Sequence, residues 1–427
     1  MADQPQPELR RTLTLPAVVI SGVGVILGAG VYALIGEAAA LSGNALWLSF
    51  LLSAVIAACT GLSYMELSSM FPEASAEYEY TTRSFGPTLA FAIGVMVILS
   101  GILGSATVGL GFAGYLSGFM GTPLIPVALL LLLLLTGILI YGIRQSIIVA
   151  AICTLIEAGG IVGIIIIGLP HLGSVDYLVM PLGIGGVFQA SALIFFAYQG
   201  FEEIVKLSDE SLVPEKTIPR GLMFAVIITT LLYIAVAVSV VSISGYEAIA
   251  GSPNPFAEVA GMAFPGGAAV FTAIALFATA NTVLMMMLSA SRIMYGMTKK
   301  GRMPAFIGYV HPKTRTPVIA VLVVFLLSAI FLFTGSIRDI AYLTNFTLFV
   351  TFAVINAAVI SLRSTMPDQK RPFKVPGRPF RTPVVSVIGI ISCLFFLFQL
   401  EMTLLFIGTI ILCATLVAAY IFREPSM

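Results

Sequence analysis

Apolar runs long enough to cross a bilayer recur from one end of this chain to the other, and they leave it few alternatives. About 20 apolar residues span hydrocarbon as a helix. The 427 residues are 59 % hydrophobic and only 10 % charged, which no soluble domain of this length matches. The expected fold is all-α, a polytopic membrane protein with runs near 13–38, 44–70, 90–118, 123–142, 146–169, 187–208, 220–243, 267–294, 317–335, 338–361, 383–400 and 402–422. That makes twelve transmembrane helices. The polar connections between them, such as Pro72–Ser84, Asp209–Arg220, Thr298–Pro317 and Ser364–Pro383, are too short to fold alone.

Charge distribution gives the orientation. With the N-terminus in the cytoplasm, all of the 21 Lys and Arg residues except Arg338 fall on the inner side. A single miscounted helix would scramble that asymmetry, which follows the positive-inside rule. Both termini are therefore expected inside. No small-residue cleavage site follows the first apolar run, so no signal peptide is expected. The basic connector from Arg371 to Pro383 carries four prolines, which hold an extended path. Its charge needs no lipid recognition beyond the same rule.

Two runs are interrupted. Gly22 to Tyr32 holds Gly24, Gly28 and Gly30, and each glycine costs a helix about 1 kcal/mol relative to alanine. Such a stretch is either a small-residue helix contact through Gly24 and Gly28 or a broken helix whose bare backbone meets a polar ligand. In the sixth run Gln199-Gly200 falls near mid-membrane, followed by Glu202 and Glu203. Glu202 and Lys206 stand four apart in the order that favours pairing. Interrupted spans at corresponding places in two halves point to a transporter's binding site, and five helices per half makes the halves inverted. Read as a plain helix interruption, Gly200 replaced by alanine would leave stability unchanged or slightly raised.

Several stretches together resemble the amino acid–polyamine–organocation (APC) transporter superfamily. Gly28-Ala-Gly-Val-Tyr32 is similar to the family's first-helix substrate loop, and Tyr64-Met-Glu-Leu67 with Pro72, Tyr78 and Tyr80 to its second-helix exit. Phe195-Phe-Ala-Tyr-Gln-Gly-Phe-Glu202 resembles its broken sixth helix, and Glu210 through Pro219-Arg220 the connector after it. Ser291-Arg-Ile-Met-Tyr-Gly-Met297, Lys300-Gly-Arg-Met-Pro304, His311 and Thr316-Pro317 resemble the loop after the eighth helix, and Arg371-Pro-Phe-Lys-Val-Pro376 the one before the eleventh. The resemblance implies the leucine-transporter fold: a single domain with a first repeat at 13–169, an inverted second repeat at 187–361 and accessory helices at 383–422. It implies import or exchange of amino acids.

On that resemblance the substrate carboxylate meets N–H groups at Gly28, Ala29 and Gly30, where a helix N-terminus favours an anion. The ammonium meets freed carbonyls of Val25, Ile26, Phe195 and Ala197, with Tyr198 and Gln199 at the rim beside Gly200. For Phe195, Phe196 and Phe201 ordinary packing competes with contact. Glu157 lies mid-span with no basic residue within a turn, and a carboxylate there costs about 2.5–3.5 kcal/mol on insertion scales. Some proton-coupled members carry a lysine at this position, so the glutamate departs from a lysine-type mechanism. Glu157 could carry the coupling proton, bind sodium or a substrate cation, or tie two helices as a neutral hydrogen-bonding group. Asn281 and Thr282 are candidates for a cation site or for interhelical hydrogen bonds. Glu37, Glu66 and Arg292 sit near span ends, where pairing or snorkelling is expected.

The function expected is secondary transport of amino acids, with a proton gradient as the driving force. Sodium symport or exchange is the alternative, and the plasma membrane the expected location. A channel would show charge rings or a repeated filter loop. An enzyme would show clustered nucleophiles or metal ligands in the spans. His171 and His311 fall in predicted loops, so a histidine proton relay is not expected. Cys59, Cys153, Cys393 and Cys413 lie inside apolar runs as packing residues. Neither a metal, a cofactor, ATP through a Walker loop, nor nucleic acid is called for. The partners expected are the amino acid, the coupling ion and the bilayer.

Overall fold

A computed structural model describes residues 13–72, 76–141, 143–334, 336–376 and 383–421. The regular structure of the described part is helical, and its one β-bridge joins Leu13 to Ser211. In chain order the helices are α1 (Leu15–Ile26), α2 (Gly30–Ser42), α3 (Leu46–Met70), α4 (Ala76–Phe85), α5 (Pro87–Met120), α6 (Leu124–Tyr141), α7 (Ile143–Gly168) and α8 (Gly183–Ile194). Two 3₁₀ segments, Phe195–Tyr198 and Phe201–Glu210, follow. Then come α9 (Pro214–Ser244), α10 (Pro255–Ala263), α11 (Gly267–Lys299), α12 (Val318–Leu332), α13 (Ile337–Thr365), α14 (Val384–Leu397) and α15 (Met402–Ile421).

Among the described residues, nine stretches are long and apolar enough to cross a membrane, and one of them, Gly30–Met70, contains both α2 and α3. Three shorter apolar helices, α1, α12 and α14, accompany them. At 12 residues α1 is about 18 Å long, too short to cross hydrocarbon alone. It is half of a helix that resumes at α2.

Two helices lie in segments expected to be loops. The Pro72–Ser84 connection contains α4, whose Glu77 and Glu79 lie in its first turn and Arg83 in its last, the order the helix dipole favours. Glu79 accepts from Arg83 at 2.6 Å one turn on. The second, α10, follows Ser252-Pro253-Asn254 and begins with Pro255, whose fixed φ suits a first helical position. Reading by long apolar runs cannot see ten- and nine-residue helices. The seventh span likewise begins earlier than expected, because Pro214 opens α9 and Pro219 is carried inside it.

Tight helix contacts rest on small residues. Along α5, Gly94, Gly101 and Gly104 face Met297, Ala290 and Met286 of α11, and an added Cβ at each would come within 2.7–2.9 Å of those side chains. The charges near span ends are mostly paired. Arg338 of α13 donates twice to Glu37 of α2, at 2.6 and 2.9 Å. Glu66 of α3 is buried between Arg363, which donates to both its oxygens, and Arg371 at 3.3 Å, and it also accepts the Val375 N–H. Arg371 closes the C-terminus of α13 through the carbonyls of Leu362 and Met366. The start of the proline-rich connector is thereby strapped to α3 and α13. Arg292 is only half-buried, and its Nε has no partner among the described residues.

Candidate functional site

The helical hydrogen-bond ladder stops at Ile26, and Leu27 closes it by donating to the Val23 carbonyl at 2.8 Å. Gly28 and Ala29 form the gap, and α2 starts at Gly30. In the sixth span α8 stops at Ile194, a 3₁₀ turn carries Phe195 to Tyr198, and Gly200 takes a φ of +118° that strains any other residue. The two gaps lie against each other. A Cβ at Gly30 would stand 2.8 Å from the Ala197 Cα, and one at Gly200 would stand 2.8 Å from the Val25 carbonyl oxygen. Both glycines are required by that approach of bare backbone to bare backbone, and the first stretch is a broken helix rather than a continuous small-residue contact. Gly24 retains a packing role, since its added Cβ would meet Thr154 at 2.9 Å.

Most groups freed by the two breaks are already partnered. Tyr233 of α9 sets its hydroxyl 2.7 Å from the Ile26 carbonyl and 2.9 Å from that of Ala197. One hydroxyl proton cannot fully satisfy two carbonyls, so the pair keeps acceptor capacity. The end of α8 is held from two sides. Ser53 of α3 donates to the Ser191 carbonyl at 2.8 Å, and Asn345 of α13 gives its amide to the carbonyls of Ala192 and Leu193 at 2.6 and 2.9 Å. Below the break, Glu202 accepts the Gly200 N–H at 2.9 Å and so caps the inner segment. The Lys206 side chain expected opposite it lies outside the described residues.

The expected site residues divide accordingly. The Ala29 N–H donates to Thr282 Oγ1 of α11 at 2.8 Å, whereas neither the Gly28 nor the Gly30 N–H has an acceptor among the described residues. The carbonyls of Ile26 and Ala197 face Tyr233, while the Val25 side chain, 41 % exposed, points out of the packed core. Phe195 is buried in a stack with Phe349 and Phe352, at ring separations of 4.8 and 6.0 Å, so only its main chain can face a ligand. Tyr198 is fully buried with its hydroxyl on the Phe50 carbonyl, which takes it away from the rim. Gln199 is half-buried and its Oε1 has no partner.

Glu157 is fully buried on α7, and among the described residues neither carboxyl oxygen has a partner at hydrogen-bond distance. The side chain facing it is Asn281 of α11, whose amide donates to Thr154 Oγ1 at 3.2 Å while its Oδ1 is unpartnered. Asn345 Oδ1 is in the same condition. Turning that amide over would set an oxygen against two carbonyls, so its orientation is fixed by its neighbours. Around the breaks, then, the buried side-chain atoms left unpartnered among the described residues are oxygens: those of Glu157, Gln199, Asn281 and Asn345. Side chains short of donors suit a ligand group that brings protons, such as an ammonium, or a cation that accepts lone pairs. A separate cavity of about 430 Å³ lies at the far end of α2, lined by Glu37, Ser336, Ile337, Arg338, Asp339 and Glu401.

Sequence reasoning missed Tyr233 and Asn345. A tyrosine in an apolar run reads as packing. Asn345, an amide in mid-span, falls under the rule that singled out Glu157 and could have been found by it.

The family model described as "Amino acid permease" matches residues 12–420. The chain is 30 % identical to a branched-chain amino acid permease of Bacillus subtilis, over 92 % of this chain and 89 % of that protein. It is 30 % identical to a methylthioribose transporter of the same organism, over 93 % and 90 %. A vacuolar cationic amino acid transporter of Arabidopsis thaliana is 28 % identical, over 84 % of this chain and 64 % of that one. The match runs through both broken helices and on into the last one: the chain is a multi-pass membrane transporter, not an enzyme, and belongs to the amino acid permease family of the APC superfamily.

Proposed function

We propose that this protein imports amino acids by symport with protons, and that Glu157 carries the coupling proton. One observation bears most of the weight: a fully buried carboxyl without a partner, beside Asn281 and within reach of a helix break. A protonated Glu157 has the donor that its surroundings lack, and a protonated acid is far less costly to bury than a carboxylate. The substrate carboxylate lies at the N-terminus of α2, on the N–H groups of Gly28 and Gly30, with Ala29 joining when Thr282 releases it. The ammonium lies between the C-terminal ends of α1 and α8, sharing the carbonyls of Ile26 and Ala197 with Tyr233 and reaching those of Val25 and Phe195. Gln199 and the Tyr198 main chain close the side next to Gly200. Twelve crossings, cytoplasmic termini and the plasma membrane complete this reading. Its two inverted repeats are 13–169 and 187–361, followed by accessory helices at 383–422.

Sodium symport is the second reading, supported by the unpartnered Asn281 Oδ1 next to Thr282 and a carboxyl, an all-oxygen set of the kind a hard cation accepts. Exchange without net driving force is the third. One reconstituted system separates them. Uptake of a radiolabelled amino-acid panel is measured under a pH gradient, under a sodium gradient and with preloaded substrate, for wild type and Glu157→Gln. Proton symport predicts sodium-independent accumulation under inward acid, abolished in Glu157→Gln while exchange persists. Accumulation that needs sodium and weakens as the medium is acidified favours the second reading. If Glu157→Gln concentrates substrate as well as wild type does, Glu157 is a structural group.

A further inference from the structure

We propose that Tyr32 is a positioning residue that ties the Glu157 segment of α7 to the ligand-facing end of the first helix. Substrate binding at the break and the state of Glu157 then become one mechanical event. The inference rests on the reading of Glu157 as the coupling group. Tyr32 stands two residues beyond Gly30 on α2 and is fully buried. Its hydroxyl donates to the main-chain carbonyl of Glu157 at 2.8 Å. A carbonyl oxygen has two lone pairs and the helix ladder uses one, so the phenol takes the second. The contact fixes the Glu157 backbone and leaves its carboxyl uncommitted.

Two further features belong to the same arrangement. Glu157 is followed by Ala158-Gly159-Gly160, and the two glycines differ. A Cβ at Gly159 would meet nothing within 4 Å, whereas one at Gly160 would stand 2.5 Å from the Tyr32 hydroxyl and 2.5 Å from Ile274 Cγ2. Gly160 is thus the slot through which Tyr32 reaches the α7 backbone. The second feature is a closed ring of contacts. Ala29 donates to Thr282; the preceding residue, Asn281, donates to Thr154; Thr154 lies one turn before Glu157; and Glu157 is reached by Tyr32, three residues after Ala29. The break and the carboxyl are therefore joined on both sides, through α11 and through Tyr32.

Tyr32 is itself held from outside the ring. Its carbonyl accepts from the Tyr115 hydroxyl of α5 at 3.0 Å, and that hydroxyl accepts the Phe256 N–H of α10 at 3.4 Å. The Phe256 ring lies 4.6 Å from the Tyr32 ring. The titratable groups facing Glu157 are Tyr32 from α2, Tyr233 from α9 and Cys153 one turn earlier on α7, while α11 presents the neutral Asn281.

The test uses the full chain in proteoliposomes, with a uniformly radiolabelled mixture of the proteinogenic L-amino acids as probe. Accumulation under an inward pH gradient is compared with exchange in its absence, for wild type, Tyr32→Phe and Glu157→Gln. Tyr32→Phe should cut accumulation about fivefold, the scale of one lost buried hydrogen bond, while exchange stays within about twofold. That is the direction of Glu157→Gln. Equal losses of exchange and accumulation, or wild-type accumulation, overturn the inference. Should Glu157→Gln accumulate fully, the reading of Glu157 fails and the inference falls with it; should only Tyr32→Phe accumulate fully, the inference fails alone. If Tyr32→Phe does not fold, the glycine pair decides. Gly159→Ala should behave as wild type and Gly160→Ala should lose accumulation, and equal behaviour of the two overturns the proposal.

Discussion

The two helix breaks are built differently. The break in the sixth span is fastened from several sides: Ser53 and Asn345 hold the end of α8, Tyr198 reaches the Phe50 carbonyl, and Glu202 caps Gly200 below. The break in the first span is lightly held, with one tie to Thr282 and a share of Tyr233, and the N–H groups of two glycines are left over. Unmet backbone groups are tolerated at membrane depth only where protein or a polar cavity satisfies them. On the function proposed above, the two breaks do different work: the sixth-span break is scaffold that presents carbonyls, and the first-span break is where a ligand completes the structure.

Substitutions that damage one break and spare the other test this division. The largest effect is expected at Gly30. Gly30→Leu puts a side chain into the Ala197 backbone at a 2.8 Å approach, and uptake should fall about 100-fold or more while the protein still inserts and elutes as a monodisperse species. Near-normal substrate binding by that variant would end the assignment of the first break as ligand site. Gly200→Ala comes next, and here the structure reverses the expectation from helix propensity. With φ at +118° and a carbonyl 2.8 Å from the new Cβ, alanine should cost about 1–3 kcal/mol, visible as a lowered Tm. An unchanged or raised Tm would mean that the segment behaves as ordinary helix.

Smaller effects sharpen the distinction. Asn345→Leu strips donors from two buried carbonyls and should destabilise by about 1–3 kcal/mol, with the loss appearing in Tm and maximal rate more than in KM. A change confined to KM would place Asn345 at the ligand instead. Tyr233→Phe removes a single hydroxyl shared by both breaks. It should cost only about 0.5–1.5 kcal/mol of stability yet change KM several-fold, because it alters the acceptors left for the ammonium. If Tm falls and KM does not, Tyr233 is a fastener like Asn345.

Both breaks were legible from the sequence because glycine in a membrane helix and a polar pair such as Gln199-Gly200 are local signals. Glu157 was legible because a lone carboxyl in an apolar run is costly wherever its neighbours lie. The partners of the freed groups were not. Ile26 meets Tyr233 across 207 positions, and Ala29 meets Thr282 across 253, so that accounting exists only after folding. Nor does spacing along a helix show that Glu202 accepts the N–H of the glycine two residues back. Short helices such as α4 and α10 escaped because their stability comes from what they pack on, not from long apolar runs.

The clasp around Glu66 bears on how the chain is made. On the proposed orientation, Arg363 and Arg371 belong before folding to the basic excess that holds the end of α13 on the side of synthesis. Once folded, both guanidinium groups are committed to Glu66, and Arg371 is further committed to the last carbonyls of α13. The same two charges act first as a retention signal and then as a mortise, and α3 must be in place before they can be reassigned. Docking of Arg371 and Val375, the start of the connector, on Glu66 therefore requires α3.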